Sequence, residues 1–171
     1  MRHELTAASV LGAQKISRMC FVCGHENDIS LKAHFLTLED GRLCAEFEAR
    51  DVHQSYPGRV HGGVISAIID ETIGRVIQVE HPDDFGVTID LNVKFRSPVP
   101  IGVPLKVIAW QTKLTKRIFE GEGQLLLPDG TIAAQGFARY YRQSVEAIAQ
   151  GGLDDEEWFA DERPLPEQVE V

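Results

Sequence analysis

The sequence predicts an α+β protein in which an antiparallel sheet wraps a single buried helix, and three observations carry that expectation. From residue 62 to 79 the apolar side chains of Val64, Ile65, Ala67, Ile68, Ile69, Ile73, Val76 and Ile77 run round most of the helix, so it must be covered on most sides. From residue 87 to 96 the period changes to two. Val87, Ile89, Leu91, Val93 and Phe95 alternate there with Thr88, Asp90, Asn92, Lys94 and Arg96, the mark of a strand with one buried face. Ahead of both, two alternating runs flank Glu39-Asp40-Gly41, and Asp-Gly supplies the positive φ that a hairpin turn requires.

In chain order, Leu5, Ala8 and Leu11 or Gly12 fall near helical spacing without an intervening proline, which predicts a short helix within residues 1–18. Residues 32–38 and 42–48 form the arms of the hairpin. The helix of residues 62–79 bears only Asp70, Glu71 and Arg75 as charged side chains, and an ionised carboxylate among isoleucines needs partners or a pocket. Ser97-Pro98-Val99-Pro100 ends the long strand. Three further strands are predicted at 105–114, 117–127 and 131–141, joined at Lys116 and at Pro128-Asp129-Gly130. Beyond residue 143 the acidic runs, Gly151-Gly152, Pro164 and Pro166 predict a disordered tail, with Leu153, Trp158 and Phe159 available to dock as a short helix.

With 171 residues, 43% of them hydrophobic, the chain supplies one core, so a single domain is expected. Its net charge of −9 is unevenly placed: residues 145–171 carry nine acids against Arg163, and the remainder is nearly neutral. The body can therefore hold an anionic ligand where bases converge, but no stretch gathers the Lys and Arg that nucleic acid demands. Cys20, Cys23 and Cys44 form an odd set, which points to reduced thiols and a cytoplasmic protein. No apolar run is long enough for a membrane helix. Cys20-x2-Cys23 with His25 is half a zinc motif; lacking a second pair, it predicts no metal, and the two cysteines read as small structural residues.

Several motifs occur in a telling order: Cys20-Phe21-Val22-Cys23-Gly24, His53-Gln54-Ser55-Tyr56-Pro57-Gly58, Val60-His61-Gly62-Gly63-Val64, Asp70-Glu71, and the run from Gly86 to Pro98. In this order and spacing they resemble the PaaI-type (4-hydroxybenzoyl-CoA thioesterase-like) hotdog family. The resemblance covers residues 19–142 as one domain, leaving residues 1–18 as an extension and 143–171 as an acidic tail. It implies a hotdog fold, a curved antiparallel sheet of five to six strands around a central helix. It also implies a homodimer or dimer of dimers with active sites between subunits, and hydrolysis of an acyl-CoA or acyl-carrier-protein thioester with no cofactor, coenzyme A being part of the substrate.

The residue types suit that chemistry. Thiolate leaves readily, so one carboxylate and one oxyanion donor suffice for a thioester. Gly62 opens the helix, where the first N–H groups lack intrahelical acceptors and no side chain blocks an acyl group. Gly62 N–H is therefore the candidate oxyanion donor, with Gly63 beside the substrate. By resemblance, Asp70 is the general base or nucleophile, His61 and Thr88 assist, and the Thr88 hydroxyl faces the carboxylate across the dimer. Glu71, turned about 100° away on the helix, is expected in an interfacial ion pair. Several relatives carry Asn where this chain has Ser55, a shorter donor for which Gln54 is a substitute. Arg59, Lys94, Arg96, Lys116, Arg117 and Arg139 are the bases available to coenzyme A phosphates, with Asn92 as a further substrate contact. Two other readings of the same pattern are a non-catalytic acyl-CoA-binding hotdog protein and a hotdog enoyl-CoA hydratase or dehydratase.

Overall fold

A computed structural model describes residues 1–149 and 153–171; Gly151-Gly152 lies outside the described residues. The elements in order are β1 (Ala7–Ala13), β2 (Ile16–Ser17), β3 (His34–Leu38), β4 (Leu43–Glu48), α1 (Gly62–Arg75), β5 (Phe85–Phe95), β6 (Pro104–Leu114), β7 (Ile118–Leu126), β8 (Ile132–Gln143), α2 (Val145–Ile148), β9 (Trp158–Phe159) and β10 (Gln168–Glu170). Among the described residues, eight strands form one antiparallel sheet in the order β10-β1-β3-β4-β6-β7-β8-β5, and β2 pairs separately with β9.

The five strands β4 to β8 embrace α1, whose Ile68, Ile69 and Ile73 are fully buried. Burying each such side chain contributes about 2–3 kcal/mol, which makes the helix–sheet contact the main source of cohesion. The sheet accepts the helix closely because glycines stand beneath Ile69 and Ile73. A β-carbon at Gly136 would stand 2.3 Å from Ile69 Cγ2, and one at Gly121 would stand 2.7 Å from Ile73 Cγ2. Larger residues there would lift the helix off the strands.

Both chain ends depart from the sequence expectation. Residues 1–18, all of them described, form no helix; β1 pairs with β3 on one side and β10 on the other. The helical spacing was misleading because Leu11 is 69% exposed, whereas Ala8 is buried with Leu36, Leu38 and Val169 in a second small core. Adding β1 also satisfies the edge of β3, which would otherwise present unpaired backbone groups. The tail beyond residue 143 likewise contributes strands where disorder or a docked helix was expected. Trp158 pairs with Ser17, Val169 pairs with Ala8, and Arg163 donates to the carbonyls of Lys32 and Ala33 at 2.6 and 2.9 Å. The sheet therefore has eight strands where five to six were expected, the additional two being terminal.

The opposite edge is β5, with eleven residues and, among the described residues, no partner on its outer side. Its alternation is interrupted. A bulge between Thr88 and Asp90 shifts the register against β8, so Thr88 and Leu91 both turn toward the helix. Val87 and Ile89, expected on the buried face, are 44% and 52% exposed.

Candidate active site

The helix begins at His61, whose extended backbone (φ −64°, ψ 137°) makes it the N-cap. Its Nδ1 accepts the N–H of Gly63 at 2.9 Å, and Val64 N–H reaches the His61 carbonyl at 2.9 Å. Among the described residues, Gly62 N–H has no acceptor. His61 thus acts as a cap that consumes the neighbouring donor, leaving one N–H free at the positive end of the helix dipole. A β-carbon at Gly62 would meet only the Phe95 ring, at 3.6 Å.

Asp70 lies two turns into α1 and faces the sheet. Thr88 Oγ1 lies 3.0 Å from Oδ1 and 3.2 Å from Oδ2, and Tyr140 OH lies 2.9 Å from Oδ1 and 2.7 Å from the Asp70 carbonyl. Burial raises the Asp70 carboxyl above its ordinary range, the two hydroxyls pull it down, and the charge of Glu71 raises it again. Tyr140 is 1% exposed and stacked on Phe119 at 4.8 Å; burial and then the Asp70 charge push its phenol upward, so it remains a donor.

The Thr88 contact arises within one chain rather than across a dimer, because the β5 bulge points Thr88 inward. Glu71 Oε1 receives Arg75 Nε at 2.7 Å along the same helix, an ion pair made within one chain. That pair keeps the guanidinium occupied, so Asp70 is held by hydroxyls and forms no ion pair among the described residues.

A cavity of about 240 Å³ opens at Asp70, walled by Cys20, Gln78, Phe85, Thr88, Leu153 and Trp158. A cleft of about 610 Å³ adjoins it, sharing Gln78, Phe85, Leu153 and Trp158, and another of about 790 Å³ borders Cys23 and Phe159; neither includes Asp70. The smaller cavity is the candidate site because it alone of these three places a sheltered carboxylate of the central helix at its wall.

The other expected residues are dispersed. Ser55 and Gln54 lie on the exposed loop before the helix, with Gln54 Oε1 holding Gly58 N–H at 2.9 Å; Arg59 is on the same loop. Asn92, Lys94 and Arg96 border a shallow groove with Trp110 and Glu122, and Arg96 Nε donates to Gln135 at 3.1 Å. Lys94 and Arg96 flank Phe95, the residue against Gly62. Arg139 pairs with Glu120 at 2.9 Å, and Lys116 and Arg117 are exposed or partly so at the β6–β7 turn, so none of these three is at the helix start. The sequence reading missed Tyr140 as a site residue. Its signal was present: it shares a strand face with Ala134, Gly136 and Ala138, and a phenol on so small-sided a face requires an acceptor.

Fold and site together define a hotdog protein with a hydroxyl-held carboxylate on its central helix. Residues 57–134 match the model of the thioesterase superfamily. It is 23% identical over 106 residues to human acyl-coenzyme A thioesterase 13, covering 61% of this chain and 76% of the relative. Among solved structures, a thioesterase superfamily protein superposes with a TM-score of 0.67 at 23% identity over 73% of this chain; the chain spans only 64% of that protein's length. A mutant form of the phenylacetic acid degradation protein PaaI from Thermus thermophilus superposes with a TM-score of 0.53 at 19% identity over 60% of this chain and 86% of its own. No helix among the described residues is long and apolar enough to cross a membrane.

Proposed function

We propose that this protein hydrolyses acyl-CoA thioesters, with Asp70 as general base and Gly62 N–H of a partner subunit as oxyanion donor. The observation that carries the reading is the Asp70 carboxylate itself: partly buried, raised by that burial, and fixed by two hydroxyls instead of a cation. Such a group accepts a proton from water more readily than an exposed or ion-paired carboxylate. Tyr140 donates to Oδ1 and the single Thr88 hydroxyl hydrogen is shared between the two oxygens, nearer Oδ1, so Oδ2 is the less engaged oxygen and the one we assign to take a proton from water.

Two copies are needed because Gly62 and Asp70 are eight positions apart on the helix, about 12 Å of rise. One carbonyl cannot touch both groups of a single chain. The unpaired β5 edge supplies the remedy. Antiparallel pairing of two β5 strands about Asn92 sets Leu91 of one copy opposite Val93 of the other and, through the extra residue of the bulge, brings Thr88 of one copy beside Phe95 of the other, and Phe95 adjoins Gly62. Arg59, Lys94 and Arg96, near that same helix start, are the proposed phosphate contacts for coenzyme A.

The chemistry then follows from the groups in place. Asp70 takes the proton as water attacks the thioester carbon, Gly62 N–H receives the developing oxyanion, and collapse expels the thiolate. A thiol-release assay of the purified protein across short, medium, long and aromatic acyl-CoAs tests the proposal. Release of free thiol by wild type, together with Asp70→Asn that binds acyl-CoA but hydrolyses it at least about a thousandfold more slowly, is the expected result. Equal rates in the two proteins would overturn it. Single turnover in ¹⁸O-labelled water separates the two roles of the carboxylate, since a nucleophilic Asp70 would acquire the label before the product does.

A further inference from the structure

Cys20 and Cys23 occupy a turn closed by Gly24 N–H on the Cys20 carbonyl at 2.8 Å. A β-carbon at Gly24 would stand 2.3 Å from that oxygen, so the turn is built for glycine. Both sulfurs and a Glu71 carboxylate oxygen lie within 4.8 Å of one another. The N–H groups of Val22 and Cys23 approach Cys20 Sγ at 3.3 and 3.5 Å, an arrangement that favours thiolate. Hydrogen bonding from Cys23 pulls Cys20 down to about 7, and the same bond pushes Cys23 upward.

The two thiols differ in access. Cys20 is part of the wall of the cavity at Asp70, whereas Cys23 is 1% exposed behind it, with Arg75 Nη2 at 3.1 Å from its sulfur. The three acidic ligands invite comparison with a metal site, but the cation position is filled. Arg75 bonds Glu71 and Cys23, donates to the Lys15 carbonyl at 2.8 Å, and is stacked between Phe35 and Trp158 at 4.2 and 4.7 Å. A metal would have to displace that guanidinium; dithiol chemistry would not.

We propose that Cys20 and Cys23 form an oxidation site at which hydrogen peroxide converts the accessible thiol, backed by its buried neighbour, into a Cys20–Cys23 disulfide. Cys20 thiolate attacks one peroxide oxygen; an S–O bond forms, the O–O bond breaks, and the hydroxide released takes a proton to become water. Cys23, having lost its proton to solvent, attacks the Cys20 sulfur; the S–S bond forms, the S–O bond breaks, and a second water leaves. Two thiols are oxidised by two electrons and one peroxide is reduced to two waters. The inference is independent of the hydrolase reading, since no step involves Asp70.

The test is intact-mass and free-thiol analysis of the full-length reduced protein under a small excess of hydrogen peroxide with chelator present. The expected result is loss of about 2 Da and of two of the three thiols, reversed by dithiothreitol, with Cys44 retained because it is fully buried. Cys23→Ser should stop at a sulfenic acid about 16 Da heavier that dimedone captures, and Cys20→Ser should not lose the 2 Da. Three outcomes would overturn the proposal: both thiols inert in wild type, progression of Cys20 to sulfinic acid without a disulfide, or stoichiometric zinc that blocks both thiols of the reduced protein.

Discussion

The Tyr140 hydroxyl lies 2.9 Å from Asp70 Oδ1 and 2.7 Å from the carbonyl oxygen of the same residue. One phenol on β8 therefore ties the orientation of a helix side chain to the position of its own backbone. Tyr140→Phe keeps the ring and its stack on Phe119 while deleting that tie. We expect kcat to fall roughly ten- to a hundredfold, as small misplacements of a reacting group do. The bond holds the Asp70 pKa down, so its loss should also move the acid limb of the pH–rate profile to higher pH. A purely structural role for Tyr140 would lower Tm and leave that limb in place.

Asp70 also makes a statement about stability. Its pKa is higher folded than unfolded, so the folded state binds the proton more tightly and stability declines as pH rises from the unfolded carboxylate value through the folded one. Asp70→Asn, which mimics the protonated form, should therefore melt higher than wild type at pH 7. The advantage should vanish at pH values below the unfolded pKa, near about 3.9. Thermal melts of both proteins across that range check the sign.

Gly62 permits an unusually clean deletion of one N–H. It is the first helical residue, where proline is favoured, and His61 before it already has the extended backbone that proline demands. Gly62→Pro should fold with near-wild-type Tm and lose roughly a hundred- to a thousandfold in kcat, the effect of removing an oxyanion donor. Normal turnover by a folded Gly62→Pro protein would remove Gly62 from the mechanism.

If each site takes Asp70 from one subunit and Gly62 from the other, the two defects should complement. Co-expression of Asp70→Asn with Gly62→Pro gives about half mixed dimers, each with one of two sites intact, hence about a quarter of wild-type activity. Two inactive parents whose mixture stays inactive would argue for a site inside one chain.

His61 should matter chiefly to the helix. His61→Ala is expected to cost about 1 kcal/mol in urea unfolding through loss of the cap, and His61→Asn should recover most of it.

The helix and the five strands that contact it could be read from periodicity because burial imposes period on the sequence: the isoleucines of α1 must face the small residues of β7 and β8. Asp70 stood out for the same reason, as a charge on an apolar helix. Thr88 was harder. Alternation alone put it on the solvent face, and only the bulge, which depends on pairing with β8, turns it inward. Tyr140 was readable as a strand residue, but its partnership with Asp70 depends on how helix and sheet are set against each other. The terminal strands were illegible because the pairing of β1 with β10 joins residues more than a hundred positions apart, and local spacing says nothing about such contacts.

Alternation stops near residue 143, and a protein trimmed there would look whole on paper. It would nevertheless lose Trp158, which covers one face of the buried Arg75 guanidinium and forms part of the wall beside Asp70. It would also lose β10, leaving the outer backbone of β1 without its neighbour. Water would then reach a cation that is now sheltered, with consequences for both the carboxylate and the thiols nearby. The acidic run that resembles a solvating appendage is, in three dimensions, one wall of the chamber.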